Sequence, residues 1–207
     1  SEIRNDALQL WHDEALQAEV AQLKAGFLSQ PQALLHGDVH TGSIFINDDN
    51  CKLIDAEFGF YGPIGFDVGS LTGNLLLNYL GHFGLTQDTE ARQRHQDYLL
   101  SQVQTLWQNF EKQFKQLMSN ECREPTLQNS VYQQRFIQQV FADALGYAGC
   151  ELIRRTVGLA HVADFDSFID GTLRAQSERK ALKLGRELIM QRNELAGIEQ
   201  VLTLVRY

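Results

Sequence analysis

His36-Gly37-Asp38 follows the apolar run Ala33-Leu34-Leu35 and opens a polar loop, HGDVHTG. Further on, the run Lys52-Leu53-Ile54 ends in Asp55, and Glu57 stands two positions later. A carboxylate in one loop can orient a hydroxyl nucleophile or take its proton. Carboxylates in a neighbouring loop suit a hard cation such as Mg2+, which takes one or two of them together with phosphate oxygens and water. On extended backbone Asp55 and Glu57 point to the same side. One acid for the nucleophile, with others for the ion that bridges the nucleotide phosphates, is the division of labour of phosphoryl transfer. Each element alone has a plainer explanation: Asp38 as a turn or helix-cap residue, Asp55 with Glu57 as a solvated turn. The order HGDxH, short hairpin, DxE and then helix is what points to chemistry.

The elements that must position these groups fall into three stretches. Residues 4–30 read as one leading helix, with Leu8, Leu10, Trp11, Leu16, Val20, Leu23, Phe27 and Leu28 at helical steps and Pro31 as its stop. Residues 31–66 alternate short apolar runs with glycine and acid. Ile44-Phe45-Ile46 and Lys52-Leu53-Ile54, joined by the polar tract 47–50, predict a small hairpin, with Asp55 at the end of its second strand. Residues 67–207 read as nearly all helix, over about 67–82, 88–118, 130–163 and 172–206, with breaks at Gly81–Gly84, Pro125, Asp164–Asp170 and Gly197. Gly146 and Gly149, inside a helical stretch, predict close helix packing.

Composition excludes several classes. The 207 residues are 43% hydrophobic and 21% charged, an ordinary globular balance, with a net charge of −8. An acidic chain lacks the clustered cations that grip nucleic acid or anionic lipid, so neither partner is expected. No apolar stretch is long enough to span a bilayer. Cys51, Cys122 and Cys150 are scattered, which speaks against a disulfide framework or a zinc site and fits a reducing cytoplasm.

The stretch HGDVHTGSIFINDDNCKLIDAEFGFYGPIGFDVG resembles the catalytic segment of the aminoglycoside phosphotransferase and choline kinase-like superfamily. Within it, the wording HGDVHTGS, the metal motif DAEFGFYGP and the segment ELIRRTVGLAHVADF at 151–165 are most similar to the methylthioribose kinase family. Departures are small. Val39 replaces the usual leucine and Ala56 the usual proline, whereas Ser43, where most of the superfamily has asparagine, belongs to the narrower match. Losing proline frees φ at position 56.

The resemblance implies roles. Asp38 would be the catalytic acid that orients and deprotonates a sugar hydroxyl. Asp55 and Glu57 would hold Mg2+ and, with the backbone at Ala56, contact the nucleotide phosphates. Ser43 stands at a metal-ligand position, although a hydroxyl is the weaker ligand. Arg154 and Arg155 match a substrate-recognition pair whose planar forks suit sugar hydroxyls or a transferring phosphoryl group. Spacing alone supports a plainer alternative, because Glu151 lies four positions before Arg155 and would make an ordinary helix-surface ion pair. Asp67 is expected to brace the catalytic loop, His36 and His40 to hydrogen-bond within it, Phe58, Phe60 and Tyr61 to pack as buried aromatics, and His161 to be a core histidine.

The implied fold is α+β and mainly α: the C-terminal lobe of a protein-kinase-like fold, with a small β-hairpin carrying the catalytic and metal loops. The implied activity is ATP-dependent phosphorylation of the anomeric hydroxyl of S-methyl-5-thioribose, with ATP as co-substrate and a homodimer as the assembly. Nothing before residue 31 reads as the strands, glycine-rich loop and lysine of a nucleotide-clamping N-terminal lobe. The chain is therefore expected to be a single C-terminal lobe that turns over poorly by itself, because positioning dominates phosphoryl transfer. The alternatives are a non-catalytic kinase-like binding module and a kinase for a choline, homoserine or aminoglycoside type of acceptor.

Overall fold

The leading segment is two helices rather than one. The computed structural model describes residues 2–159 and 162–206. Helix α1 spans Arg4–Trp11, and α2 spans Glu14–Ser29. Between them the Asp13 carboxylate accepts the Leu16 N–H at 3.0 Å and starts a new helix. Trp11, at the end of α1, is exposed rather than packed. Both helices lie on α7 (Gly171–Gln191), where two arginines along it and a third just beyond its end hold them. Arg179 pairs with Asp6 at 3.1 Å, Arg186 with Asp13 at 2.7 Å, and the buried Arg192 with Glu19 at 3.0 Å.

Four three-residue strands follow, in two antiparallel pairs. β1 (Ala33–Leu35) pairs with β4 (Phe60–Gly62), and β2 (Ile44–Ile46) pairs with β3 (Cys51–Leu53). The second pair is the expected hairpin. The first ties the stretch shut, because its strands are the outermost of the four in sequence. Residues 36–43 leave β1 for β2, and residues 54–59 return from β3 to β4. The two loops that carry the acids must therefore run side by side. Asp55 lies two residues beyond β3 and has φ of 69°, in the left-handed region. The extended backbone expected at 55–57 is thus corrected.

The rest is helical: α3 (Gly65–Leu85), α4 (Thr89–Asn120), α5 (Ser130–Val157), the short α6 (Ala163–Asp166), α7 and α8 (Ile198–Arg206). Asp88, Asn129 and Asp170 cap α4, α5 and α7. α5 ends at Val157, before the expected 163, and the stretch 172–206 is two helices. His161 lies outside the described residues. Gly81 and Gly84 do not break α3. They face Asp164 and Phe168, whose atoms lie 3.0 and 1.8 Å from where a Cβ would stand, so glycine there serves close approach.

α5 is the centre of the molecule, with 14 of its 28 residues buried. It meets α3 and α7 backbone to backbone. A Cβ at Gly65, Gly69 or Gly73 of α3 would stand 2.8 Å from Val140 O, 2.4 Å from Ala144 O and 3.0 Å from Ala148 O respectively. On the other side, a Cβ at Gly149 would stand 2.5 Å from Gly185 O of α7. Leucines and aromatics of α3, α4, α5, α7 and α8 fill the main core around this stack. Among the described residues no helix is long and apolar enough to cross a membrane.

Candidate active site

α3 carries two faces with separate duties. Gly65, Gly69 and Gly73 meet α5. Asp67 and Asn74, two turns apart, face the 36–43 loop. The Asp67 carboxylate accepts the backbone N–H groups of His36 at 2.7 Å and Gly37 at 3.1 Å. Asn74 accepts the N–H of Thr41 at 3.0 Å through its side-chain oxygen. The loop holding Asp38 is thus pinned at both ends to one rigid helix, and the bracing expected of Asp67 is observed.

Within the loop, His36 and His40 are hydrogen-bonded as expected. His36 accepts the Asp38 N–H at its Nδ1 (3.4 Å), and its Nε2 lies 2.8 Å from the carbonyl oxygen of Ile54. One neutral tautomer satisfies both contacts and couples the two acid-bearing loops. The loops also touch where a Cβ at Gly37 would lie 2.3 Å from Phe58 O, with Gly37 at φ of 89°. His40 accepts the Gly42 N–H at 3.0 Å through Nδ1, and its Nε2 stands 3.9 Å from Asp38 Oδ2. Ser43 is 2% exposed, and its hydroxyl is engaged with the loop itself: it accepts the His40 N–H at 3.1 Å and donates to His40 O at 2.8 Å.

Asp38 opens onto a cleft of about 520 Å³ between α2, the loops, α3 and α5. One wall is aromatic. Phe27 of α2, Phe60 of β4 and Phe66 of α3 lie with ring centroids 4.9 to 5.7 Å apart, and Tyr147 of α5 adds an edge-on contact to Phe66 at 5.3 Å. Tyr147 donates its hydroxyl to Leu23 O at 3.1 Å, and burial, reinforced by the nearby Asp143, raises its pKa. Cys150 lines the same wall, and burial, reinforced by the charge of Glu151, pushes its thiol up to about 11. Phe58 lines the cleft but is exposed, and Tyr61 is exposed on the outer face of β4. The buried packing expected of Phe58 and Tyr61 is not what forms; Phe60 alone joins the cluster.

The opposite end of the cleft is charged. Arg155 Nη2 stands 3.8 Å from Asp38 Oδ1, and its side chain is only 16% exposed. Arg154 lines the cleft with its side chain 52% exposed. Both guanidiniums bond to Glu151, which is 8% exposed. The Glu151–Arg155 ion pair that spacing allowed does form, but on a buried carboxylate rather than at the helix surface. Sequence reasoning missed Phe27, Phe66, Tyr147 and Cys150, which reach the cleft from three separate helices, and treated Glu151 only as a partner that might idle Arg155.

Asp55 and Glu57 lie on the adjoining loop, both exposed. Among the described residues neither carboxylate is engaged by a hydrogen bond or ion pair. The arrangement is a proton acceptor beside a fork of donors, with further carboxylates on the next loop. Residues 2–111 match the phosphotransferase enzyme family, APH. The chain belongs to this family. Three similar relatives are methylthioribose kinases. That of Pectobacterium carotovorum subsp. carotovorum (strain PC1) is 52% identical over 204 residues, 97% of this chain and 50% of the relative. That of Pectobacterium atrosepticum is 49% identical over the same shares. That of Yersinia pestis (strain Pestoides F) is 49% identical over 201 residues, 97% of this chain and 49% of the relative. The chain spans about half the length of these curated relatives, matching their C-terminal part. The mainly helical lobe with its small strand pairs agrees with the fold expected of a phosphotransferase C-terminal lobe.

Proposed function

We propose that the chain is the acceptor- and metal-binding lobe of an ATP-dependent kinase that phosphorylates the anomeric hydroxyl of S-methyl-5-thioribose, giving S-methyl-5-thioribose 1-phosphate in methionine salvage. The observation that carries this reading is the cleft itself. It has a carboxylate and two arginines at one end and a neutral aromatic wall at the other. A thiosugar has the matching halves: hydroxyls for the charged end and a methylthio group for the rings. The match to methylthioribose kinases over 97% of this chain supports the same choice.

Asp38 takes the proton of the anomeric hydroxyl as that oxygen attacks the γ-phosphorus and the bond to ADP breaks. Arg155 fixes where the Asp38 carboxylate sits. The free guanidinium nitrogens of Arg154 and Arg155 hold sugar hydroxyls or phosphoryl oxygens. Asp55 and Glu57 are the residues that would hold Mg2+, with the Ala56 backbone beside the nucleotide phosphates. The donor set fits: both side chains offer exposed carboxylate oxygens, which leaves phosphate and water to complete the shell. When bound, the ion neutralises charge on the phosphate oxygens. Ser43 serves the loop rather than the ion, because its hydroxyl is spent on His40. Three free thiols suit a reducing cytoplasm.

A choline-type acceptor fits less well. The rings could face a quaternary ammonium, but the two guanidinium forks ask for several hydroxyl or phosphoryl oxygens, and choline offers one hydroxyl. An acceptor panel tests the assignment, using the protein as its source cell produces it, with Mg2+ and ATP. Methylthioribose should be phosphorylated at the anomeric oxygen. Ribose, lacking the apolar group, should lose about 10–200-fold in kcat/KM. Preferred turnover of choline or homoserine, or no transfer to any acceptor, overturns the reading.

A further inference from the structure

Two arginines adjacent on a helix diverge by about 100° around its axis and repel each other. In this chain they converge instead, and a third residue makes them do so. Glu151 sits one turn back, between the directions of its i+3 and i+4 neighbours. Its Oε2 accepts both Nε (3.0 Å) and Nη2 (2.8 Å) of Arg154, a two-pronged contact that fixes the plane of that guanidinium. Its Oε1 accepts Nε of Arg155 at 2.7 Å. The bonds leave Nη1 of Arg154 and the two terminal nitrogens of Arg155 for other partners, and one of the latter is the atom 3.8 Å from Asp38.

The carboxylate is itself held. Gly73 of α3 lies so close that a Cβ there would be 2.8 Å from Glu151 Cβ and 3.1 Å from its Cγ. Glu151 is 8% exposed, so water cannot replace the arginines as its partners. A buried carboxylate without its cations is strongly disfavoured, which makes the three side chains one unit.

We propose that Glu151 is a positioning residue for the phosphoryl-acceptor site. It lines the cleft with both carboxylate oxygens already bonded to arginine, and acts by aiming Arg154 into the cleft and Arg155 at Asp38. The proposal rests on reading the cleft as the acceptor site.

Glu151→Gln keeps the volume and removes the charge that gathers the arginines. In the enzyme as its source cell produces it, the KM for methylthioribose should rise about tenfold or more and kcat should fall, with the KM for ATP within about twofold of the parent. In an Arg154→Ala, Arg155→Ala background the same substitution should add almost nothing, because its effect travels through residues already gone. A Glu151→Gln enzyme with parental acceptor KM and kcat overturns the proposal. So does a full, additive loss on top of the double alanine variant, which would mark a merely structural role. If Glu151→Gln does not fold, Glu151→Asp is the second variant: it retains the charge but withdraws it, and must show the same acceptor-specific KM rise in weaker form, or the proposal fails. If the double alanine variant itself leaves acceptor KM unchanged, it is the acceptor-site reading that fails, independently of Glu151.

Discussion

Gly37 and Phe58 touch through their backbones: the carbonyl oxygen of Phe58 lies 2.3 Å from where a Cβ on Gly37 would stand. This contact presses the loop of Asp38 against the loop of Asp55 and Glu57. Gly37 also has φ of 89°, which side-chain-bearing residues rarely adopt. Gly37→Ala should therefore lower stability by about 1–3 kcal/mol, read as a lower midpoint in urea at unchanged slope. Activity should fall further than stability does, because Asp38 is the next residue. A midpoint equal to the parent's would show that the loops need not meet there.

Asp38 is partly exposed, with 40% of its side chain accessible, so little of the fold depends on it. Asp38→Asn keeps the shape and removes the proton acceptor. Turnover by the intact enzyme should fall by about 10²–10⁴ or more, with a melting temperature within a few degrees of the parent. A variant within tenfold of parental kcat would remove Asp38 from the role of base.

The thiols should separate by environment. Cys51 is exposed, whereas Cys150, on α5, is half-buried in the cleft wall with its pKa pushed up to about 11. At about pH 8 roughly one Cys150 in a thousand is a thiolate. A thiol reagent should modify Cys51 first and Cys150 last, and the Cys150 rate should climb as pH approaches 11. Mass mapping of labelled peptides reads the order directly, and early labelling of Cys150 would contradict the packed wall.

His82 supplies a pH signature. It packs at a tilt against His95 with ring centroids 4.3 Å apart, and its Nδ1 lies 2.7 Å from Thr86 Oγ1. Burial first, and His95 second, hold its pKa below the ordinary 6.5, with Asp164 opposing. The unfolded chain therefore takes the proton before the folded one does. His82's contribution to stability is complete above 6.5 and is lost as pH falls from there through the folded value. Melting curves from about pH 8 down to about pH 5 should show this decline, and His82→Asn should flatten it. An unchanged slope in the variant would assign the decline elsewhere.

Much of the site was legible because it is local. HGD, the hairpin residues and DxE lie within one short stretch, and their order alone predicted neighbouring acid loops. The helices were legible from their apolar spacing. What was not legible depends on distance or on exceptions to local rules. The break at Asp13 was hidden because Leu10, Leu16 and Val20 keep a helical phase across it. Gly81 and Gly84 read as breakers, yet they clear room for Asp164 and Phe168. The left-handed backbone at Asp55 has no signature, since the residue is not glycine. The pairing of β1 with β4 joins residues far apart in the chain through strands of only three residues. The aromatic wall draws one ring each from α2, β4, α3 and α5. Glu151 was visible as a partner of Arg155, but its burial, which decides whether the contact is incidental or organising, is a property of the α3–α5 packing.

That packing has a mechanical consequence. At Gly65, Gly69 and Gly73 the separation of α3 from α5 is set by backbone atoms in contact, not by side chains that can change rotamer. α3 carries the braces of the Asp38 loop and α5 carries the arginines, so this side of the cleft is a fixed jaw with a hard stop. Where the cleft can yield is its aromatic wall, in which Phe27 of α2 and Phe60 of β4 meet Phe66 and Tyr147 through ring contacts. An acceptor of different girth would be accommodated there, while the spacing between proton acceptor and guanidinium forks stays constant.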